Sequence, residues 1–196
     1  VENDIIDVKI VLNGLRNMDN MFFEAFTLKS VDLTNVKDSS KITSMFNVFS
    51  DCFTLDNVIF GEHFDTSNVE NMGGMFIFCE LLKHVDLTMF NTEKVQKFGL
   101  FFAWCKSLKY ADVSNFNNFS AWEMDNFFND CYELEEVKLG DNFVTEVAEE
   151  IDDMFSECHK LKSIDISKFK CKNVHELTYS ESIFDNCETL TSIDLE

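Results

Sequence analysis

Six of the seven cysteines recur at regular intervals, and such a row of thiols could form disulfides, bind zinc or be buried. The row consists of Cys52, Cys79, Cys105, Cys131, Cys158 and Cys187. No Cys-x-x-Cys or histidine pair accompanies it, which argues against zinc. On helices packed about 8–10 Å apart, its Cα atoms would exceed the roughly 7 Å that a disulfide spans. We therefore expect reduced core thiols, whereas Cys171 shares a column with Thr66 and Thr92 and is expected nearer the surface.

A second column could bind a cation because it is acidic. It consists of Asp32, Asp86, Asp112, Asp165 and Asp194, and hydroxyls follow two residues later at Thr34, Thr88, Ser114 and Ser167. Carboxylates about 5 Å apart on adjacent strands repel by roughly 0.8 kcal/mol per pair in water. Hydrogen bonds from the hydroxyls would relieve this repulsion, and so would bound calcium. Because no compact DxDxDG loop occurs, we favour hydrogen bonding and predict no metal site.

The other chemically active residue types form no catalytic constellation. The four histidines fall at unrelated positions, and no glycine-rich phosphate loop occurs. Carboxylate pairs are too common among 36 Asp and Glu residues to single out two. We therefore predict a protein that is not an enzyme and that needs no cofactor.

These residues are placed by an internal repeat, in which Phe, Cys and Leu follow one another at three-residue steps. Its anchor phenylalanines are Phe22, Phe49, Phe76, Phe102, Phe128, Phe155 and Phe184, separated by 27, 27, 26, 26, 27 and 29 residues. The first copy has Ala25 in place of the cysteine, and the last interval carries extra residues around Tyr179. About seven copies of one unit indicate a repeat architecture rather than an ordinary globular core.

Two periodicities lie within each unit. Val85 and Leu87 alternate with polar residues, as in a strand, whereas the preceding apolar residues recur every three to four positions, as in a helix or a 3₁₀-like turn. Ser67-x-x-Glu70 and Ser120-x-x-Glu123 are typical of helix capping boxes. We predict a right-handed α/β solenoid of about seven strand-turn-helix units of 26–27 residues, with a parallel sheet on one face. Residues 1–196 are expected to form one repeat domain of a longer protein, with 1–14 as a degenerate first rung.

The repeat resembles the BspA-like leucine-rich repeats, and more narrowly the bacterial surface protein 26-residue repeat family of mycoplasmas and other low-GC bacteria. The resemblance lies in strings such as Met75-Phe76-x-x-Cys79-x-x-Leu82-x-x-Val85-Asp86-Leu87-Thr88, and it covers the chain from about Leu15 to Leu195. It implies a leucine-rich-repeat-like fold and, by analogy, a cell-surface or secreted protein that binds other proteins. The extra residues near Tyr179 and the stretch from Phe116 to Trp122 depart from the pattern.

The exposed strand positions are the candidate ligand-binding face. One column varies from unit to unit, as a recognition surface would, and His84, Tyr110 and Glu136 are its most distinctive members, with Asp86 and Asp112 beside them. Trp104, Phe119 and Trp122 lie off the regular columns and are candidate interface aromatics, although packing under an irregular loop is the more common role. Asn118-Phe119-Ser120 is a glycosylation sequon that matters only in a secreting eukaryotic host.

The charge of the chain limits its partners. With 16 Lys and Arg against 36 Asp and Glu, the formal net charge is -20, which repels nucleic acid and anionic lipid. No apolar run is long enough to span a membrane. We therefore predict a non-enzymatic module for adhesion or partner recognition that binds a protein ligand with a basic surface. The alternative is an intracellular or virion scaffold that self-associates end to end through its repeat ends.

Overall fold

The computed structural model describes residues 14–36, 38–170 and 183–194. Its strands are short: β1 Ser30–Leu33, β2 Asn57–Phe60, β3 Tyr110–Val113, β4 Glu136–Leu139, β5 Ser163–Asp165 and β6 Ser192–Asp194. A 3₁₀ helix spans Ser39–Lys41. The predicted first rung lies outside the described residues except for Gly14, and Cys171 also lies outside them. The count of seven units therefore stays a prediction.

The strands pair in parallel with a register of one repeat, so that equivalent residues of adjacent units lie side by side. Val31 pairs with Val58 in β1–β2, and Tyr110 pairs with Glu136 in β3–β4. The solenoid prediction is supported, but the sheet is not continuous: within the described residues it consists of three separate pairs, β1–β2, β3–β4 and β5–β6. Within the described residues, segment 84–87 makes no backbone hydrogen bond to β2 or β3, although it lies between them in the stack.

The return from one strand to the next is a run of turns where the sequence predicted a helix. The N–H of Cys105 donates to the carbonyl of Phe102 at 3.1 Å, and Trp104, the third residue of that turn, has φ of 58°. A positive φ at this position is the requirement of a type II turn. In a run of such turns, as in a helix, a side chain reaches the core every three to four residues. Both structures therefore produce the same spacing of apolar residues in the sequence. Outside the 3₁₀ turn at Ser39–Lys41, no helix occurs in the described part of the chain.

The capping boxes predicted for that helix are also wrong. The N–H of Ser67 donates to the carboxylate of Asp65 at 2.8 Å, which closes a local turn. The hydroxyl of Ser120 donates instead to the carbonyl of Glu93, one rung away, at 3.0 Å.

The turns leave alternate amides free to bond the next rung, which a helix would not do. The N–H groups of Gly74, Phe76 and Phe78 donate to the carbonyls of Gly99, Phe101 and Ala103 at 2.8, 2.9 and 2.9 Å. A column of parallel bridges continues this ladder through Asn17, Ser44, Asn71, Lys97, Glu123 and Glu150. Adjacent rungs are therefore joined by backbone hydrogen bonds on the return side even where their strands are not paired.

The core is built around a column of stacked rings. The anchor phenylalanines from Phe22 to Phe184 stack one above another, with centroid separations of 5.3 to 5.6 Å. From Phe49 to Phe155 these rings are at most 1% exposed. The ring column buries a large apolar surface with offset stacking between neighbours, so each rung is stabilised mainly by the rungs next to it.

The cysteine row lies beside this column as free thiols. Each Sγ donates to the carbonyl of the anchor phenylalanine one rung earlier, for example Cys79 to Phe49 at 3.2 Å and Cys105 to Phe76 at 3.1 Å. All six described cysteines are free. The expectation of reduced core thiols is met, but the helix spacing used to argue for it does not apply, because the return is not helical.

A buried hydroxyl column follows the strands. Thr66, Thr92 and Thr145 are at most 1% exposed, so the expectation that this column lies nearer the surface is wrong. Asn118 occupies the same column, is 0% exposed, and leaves its Oδ1 without a hydrogen-bond partner. Burial of this side chain keeps the sequon amide inaccessible in the folded protein.

Candidate functional site

The outer positions of the strands form the candidate face, because alternate residues of a strand point to opposite sides. In β3, Ala111 and Val113 are buried, while Tyr110 and Asp112 lie on the outer side and are half-buried. In β4, Glu136 and Lys138 are exposed on the same side. The alternation places the predicted site residues on the surface, as the strand spacing required.

Three predicted residues come together on this face. The rings of His84 and Tyr110 stack with centroids 6.4 Å apart, and Tyr110 pairs in register with Glu136. His84 and Glu136 are exposed and Tyr110 is half-buried. An imidazole, a phenol and a carboxylate therefore stand in a row across three consecutive rungs. This row can donate and accept hydrogen bonds and can cover apolar surface of a partner.

Asp112 lies beside Tyr110 on the outer side of β3 and helps to hold the Tyr110 side chain in place. Its carboxylate accepts hydrogen bonds from the hydroxyl and N–H of Ser114 at 2.6 and 3.0 Å, and from the Tyr110 hydroxyl at 3.2 Å. Lys138 adds an ion pair at 3.1 Å. Desolvation raises the pKa of Asp112, but the hydrogen bonds from Ser114, Lys138 and Tyr110 outweigh it and lower the pKa to about 2. Asp112 is therefore an anionic positioning group for Tyr110, with its acceptor capacity largely used inside the protein.

Three other aspartates of the column close local turns. Asp86 accepts hydrogen bonds from the hydroxyl and N–H of Thr88 at 2.7 and 3.0 Å, and these bonds lower the pKa of Asp86. The N–H groups of Thr34 and Ser167 donate to Asp32 and Asp165 in the same way, each at 2.9 Å. These contacts are the hydrogen bonds favoured over a calcium ladder. Within the described residues, no group of three or more His, Cys, Asp or Glu side chains is arranged to hold a metal ion.

A shallow depression lies next to the row, where the sheet is interrupted. It has a volume of about 170 Å³ and is lined by residues 57–60 of β2 and by His84, Val85 and Asp86. Ile59 of this lining is 42% exposed. The missing strand pairing therefore leaves an apolar side chain and a histidine at one opening on the face.

The three predicted interface aromatics occupy different environments. Trp104 stacks on Phe78 in the return, with centroids 4.8 Å apart. Trp122 lies under the ammonium group of Lys97, 4.6 Å from the ring centroid. Phe119 is 52% exposed. Trp104 is thus part of a ring stack, and Trp122 makes a cation–π contact within the protein.

Sequence reasoning missed a line of surface rings on the return, which we call the aromatic edge. Its members are Phe26, Phe53, Phe78, Trp104, Tyr132 and His159, one from each of six consecutive units. The sequence contains a signal for this line. In the first six units an aromatic residue stands either two or four residues after the anchor phenylalanine, and the other of these two positions holds an acidic or basic residue. The ring changes position between units, so neither column is aromatic throughout.

No helix in residues 14–36, 38–170 or 183–194 combines the length and the apolar composition that crossing a membrane requires.

The fold is similar to that of solved leucine-rich repeat structures. A leucine-rich repeat protein of T. pallidum is 17% identical with a TM-score of 0.52, and the match covers 94% of this chain and 66% of that one. A leucine-rich cell surface protein of Faecalibacterium prausnitzii is 15% identical with a TM-score of 0.36, covering 89% and 62% of the two chains. The chain thus spans just under two thirds of the length of these structures. The first likeness shows a shared fold.

No curated protein matches the chain. A family model described as "Mycoplasma protein of unknown function, DUF285" matches residues 16–139 and 105–195, which together cover most of the sequence. The resemblance to BspA-like leucine-rich repeats is confirmed by this match and by the shared fold. The chain belongs to the DUF285 family, a BspA-like leucine-rich repeat family.

Proposed function

We propose that this chain is a non-enzymatic protein-binding module whose strand face contacts a protein ligand at His84, Tyr110 and Glu136. The observation that supports it most is the alignment of these three side chains across consecutive rungs, with His84 and Tyr110 stacked at 6.4 Å. Pairing of β3 with β4 holds Tyr110 and Glu136 in register before a partner arrives, and His84, on the unpaired segment 84–87, joins the row through its ring contact with Tyr110. A preorganised row of mixed polar and aromatic character is the kind of surface that carries most of the energy of an interface.

The partner surface is basic in this proposal. The net charge of -20 attracts cationic surfaces over distances of about a Debye length, near 8 Å at physiological ionic strength. Glu136 offers an exposed carboxylate within the row itself. The family resemblance supports a role in adhesion or in recognition of a host or neighbouring cell, and a location on the cell surface or outside it.

The test compares proteins captured by the native chain and by a triple variant, His84→Ala/Tyr110→Ala/Glu136→Ala. Biotinylated protein is incubated with a detergent extract of host-cell surface proteins, and captured proteins are quantified by mass spectrometry. We expect at least one protein whose capture falls about tenfold or more in the triple variant, since a few central residues dominate such interfaces.

The matched control keeps the same column but changes rungs that are not adjacent to the row, Ser30→Ala/Ser192→Ala. This control should capture the same proteins as the native chain. Undiminished capture by a triple variant that melts like the native protein would rule out the face as the binding surface.

Protease treatment of intact source cells tests the location. Repeat peptides released without lysis support a surface position. Peptides that appear only after lysis contradict it and favour the internal scaffold.

A further inference from the structure

The aromatic edge is a line of three ring pairs outside the core, of which the first two are in contact with each other. Phe26 stacks on Phe53 at 5.4 Å, Phe78 on Trp104 at 4.8 Å, and Tyr132 on His159 at 5.1 Å. Phe53 meets Phe78 edge to face at 6.3 Å, which joins the first two pairs. Six consecutive rungs at about 4.8 Å each give the line a length of roughly 24 Å.

These rings are accessible. Phe26 is 49% exposed, and the other five are half-buried, whereas the anchor rings beside them are fully buried in the central rungs. The neighbouring Phe23 is 43% exposed and widens the apolar surface at the Phe26 end. A line of partly exposed rings across six rungs is larger than the single exposed apolar side chains that soluble proteins commonly show.

Carboxylates alternate with the rings along the same line. They are Glu24, Asp51, Glu80, Asp130 and Glu157, each two residues before or after the ring of its own unit. Lys106 forms an ion pair with Glu80 at 2.7 Å. Within the described residues, no lysine or arginine lies within ion-pair distance of Glu24, Asp51 or Asp130. Asp130 accepts the Tyr132 hydroxyl and Glu157 contacts His159 Nε2, each at 2.7 Å. The edge is therefore both apolar and anionic chiefly at its Phe26–Phe53 end, where Glu24 and Asp51 lie.

The orientation of the rings in the aromatic edge favours some chemical classes of partner over others. In the stacked pairs Phe26–Phe53 and Phe78–Trp104, each ring covers one face of the other, so those faces are closed to a ligand. Phe53 and Phe78 are tilted by 72° to each other, so the edge of one ring covers the face of the other there. Sugars and nucleobases bind aromatic side chains by stacking on an open face. Ring edges instead offer apolar contact to aliphatic side chains, and the adjacent carboxylates offer ion pairs to lysine or arginine.

We propose that the aromatic edge binds an extended basic peptide segment in which apolar and cationic side chains are interspersed. At about 3.3 Å per residue, roughly seven extended residues span the line. The edge shares no residue with the strand-face row, so this is a second interaction surface, independent of the one proposed above.

The probes are three blocked synthetic heptapeptides that carry the test side chains at alternate positions, which share one face of an extended chain. The Lys-Leu peptide is Lys-Ser-Leu-Ser-Lys-Ser-Leu, the Lys-Ser peptide has both leucines replaced by serine, and the Glu-Leu peptide has both lysines replaced by glutamate. Trp104 reports binding directly once Trp122→Phe removes the other tryptophan. We expect the Lys-Leu peptide to change Trp104 emission with saturation. The Lys-Ser peptide should bind about tenfold more weakly, and the Glu-Leu peptide should not bind.

Paired variants locate the site. Phe26→Ser/Phe53→Ser and Glu24→Gln/Asp51→Asn should each weaken the Lys-Leu peptide by about tenfold or more. The matched controls are Phe119→Ser, which removes an equally exposed ring elsewhere, and Glu62→Gln, which removes an exposed carboxylate elsewhere. Both controls, and the strand-face triple variant, should bind like the native protein.

Two results would overturn the proposal. Equal binding of the Lys-Ser and Lys-Leu peptides, unaffected by Phe26→Ser/Phe53→Ser, would mean that only the general negative charge attracts them. A response of Trp104 to a chitin hexamer but to none of the peptides would mean that the edge binds a glycan instead. A variant that fails to melt cooperatively is replaced by Phe26→Ser alone, whose ring is the most exposed of the line.

Discussion

The hydroxyl of Thr66 donates to the carbonyl of Asn91 at 2.9 Å and accepts the N–H of the same residue at 2.8 Å. One buried side chain thus satisfies both backbone groups of a residue in the next rung. Thr92 repeats the arrangement with Asn117, donating at 3.2 Å and accepting at 2.7 Å. The interior threonine column therefore joins rungs where the backbone itself makes no ladder, and Asn118 is the member that breaks it.

Asn118→Thr should stabilise the protein. The buried amide leaves Oδ1 without a partner, and a threonine hydroxyl would suit a column whose neighbours are Thr92 and Thr145. We expect a gain of about 1 kcal/mol in the free energy of unfolding, measured by urea denaturation. Thr92→Val is the opposite control and should cost about 2 kcal/mol, because it leaves the N–H and carbonyl of Asn117 unpaired. A loss of stability in Asn118→Thr would show that the amide has a partner in solution.

Asp112→Asn should reduce stability most clearly near neutral pH. The folded-state pKa of about 2 lies below the ordinary value of 3.8, so the ionised carboxylate stabilises the folded protein above pH 3.8. That contribution is lost as the pH falls from about 4 to about 2. We expect a cost of about 1–2 kcal/mol at pH 7 and a smaller decline in stability between pH 4 and 2 than in the native protein.

Melting curves across this pH range measure both effects. Lys138→Gln is a partial control, since it removes the ion pair but leaves the Ser114 and Tyr110 hydrogen bonds in place. Its effect should have the same sign and be smaller. An Asp112→Asn variant with an unchanged acid profile would contradict the assigned pKa.

The core thiols should resist alkylation in the folded state. Desolvation raises the pKa of Cys79, Cys105, Cys131 and Cys158 well above the ordinary value of 9.0, and raises that of Cys52 and Cys187 to about 11. Because the thiolate is the reactive form, iodoacetamide at pH 8 should label these six slowly and label them fully in urea. Peptide mass spectrometry separates them from Cys171. Rapid native labelling of Cys105 would contradict the buried column.

Far-ultraviolet circular dichroism should show little helix. The structure forms the return segments from turns with positive φ at residues such as Phe78, Leu100 and Trp104, and the described strands are short. The spectrum should therefore lack the paired helical minima that strand-turn-helix units would produce. A strong helical spectrum would favour the helical return predicted from the sequence.

Much of the candidate face could be predicted from sequence. Strand alternation placed Tyr110 and Glu136 outside and Ala111 inside, and the repeat length set their register. The interrupted sheet at 84–87 could not be predicted, because Val85 and Leu87 follow the same alternation as their counterparts in paired strands. The full set of hydrogen bonds to the Asp112 carboxylate could not be predicted either. One of them comes from Lys138, which lies next to Asp112 only because of the register between two adjacent rungs.

The repeat, the buried columns and the residues that share a face can be derived from the amino-acid sequence alone, because apolar side chains must recur at one place in every unit to form a common core. The path of the backbone between strands depends instead on contacts between rungs. A helix and a run of type II turns bury the same residues, and the choice depends on whether amides bond within the rung or to the next one. The aromatic edge is a consequence of the turns, because equivalent turns of adjacent rungs bring Phe78 and Trp104 face to face, with their ring centroids 4.8 Å apart.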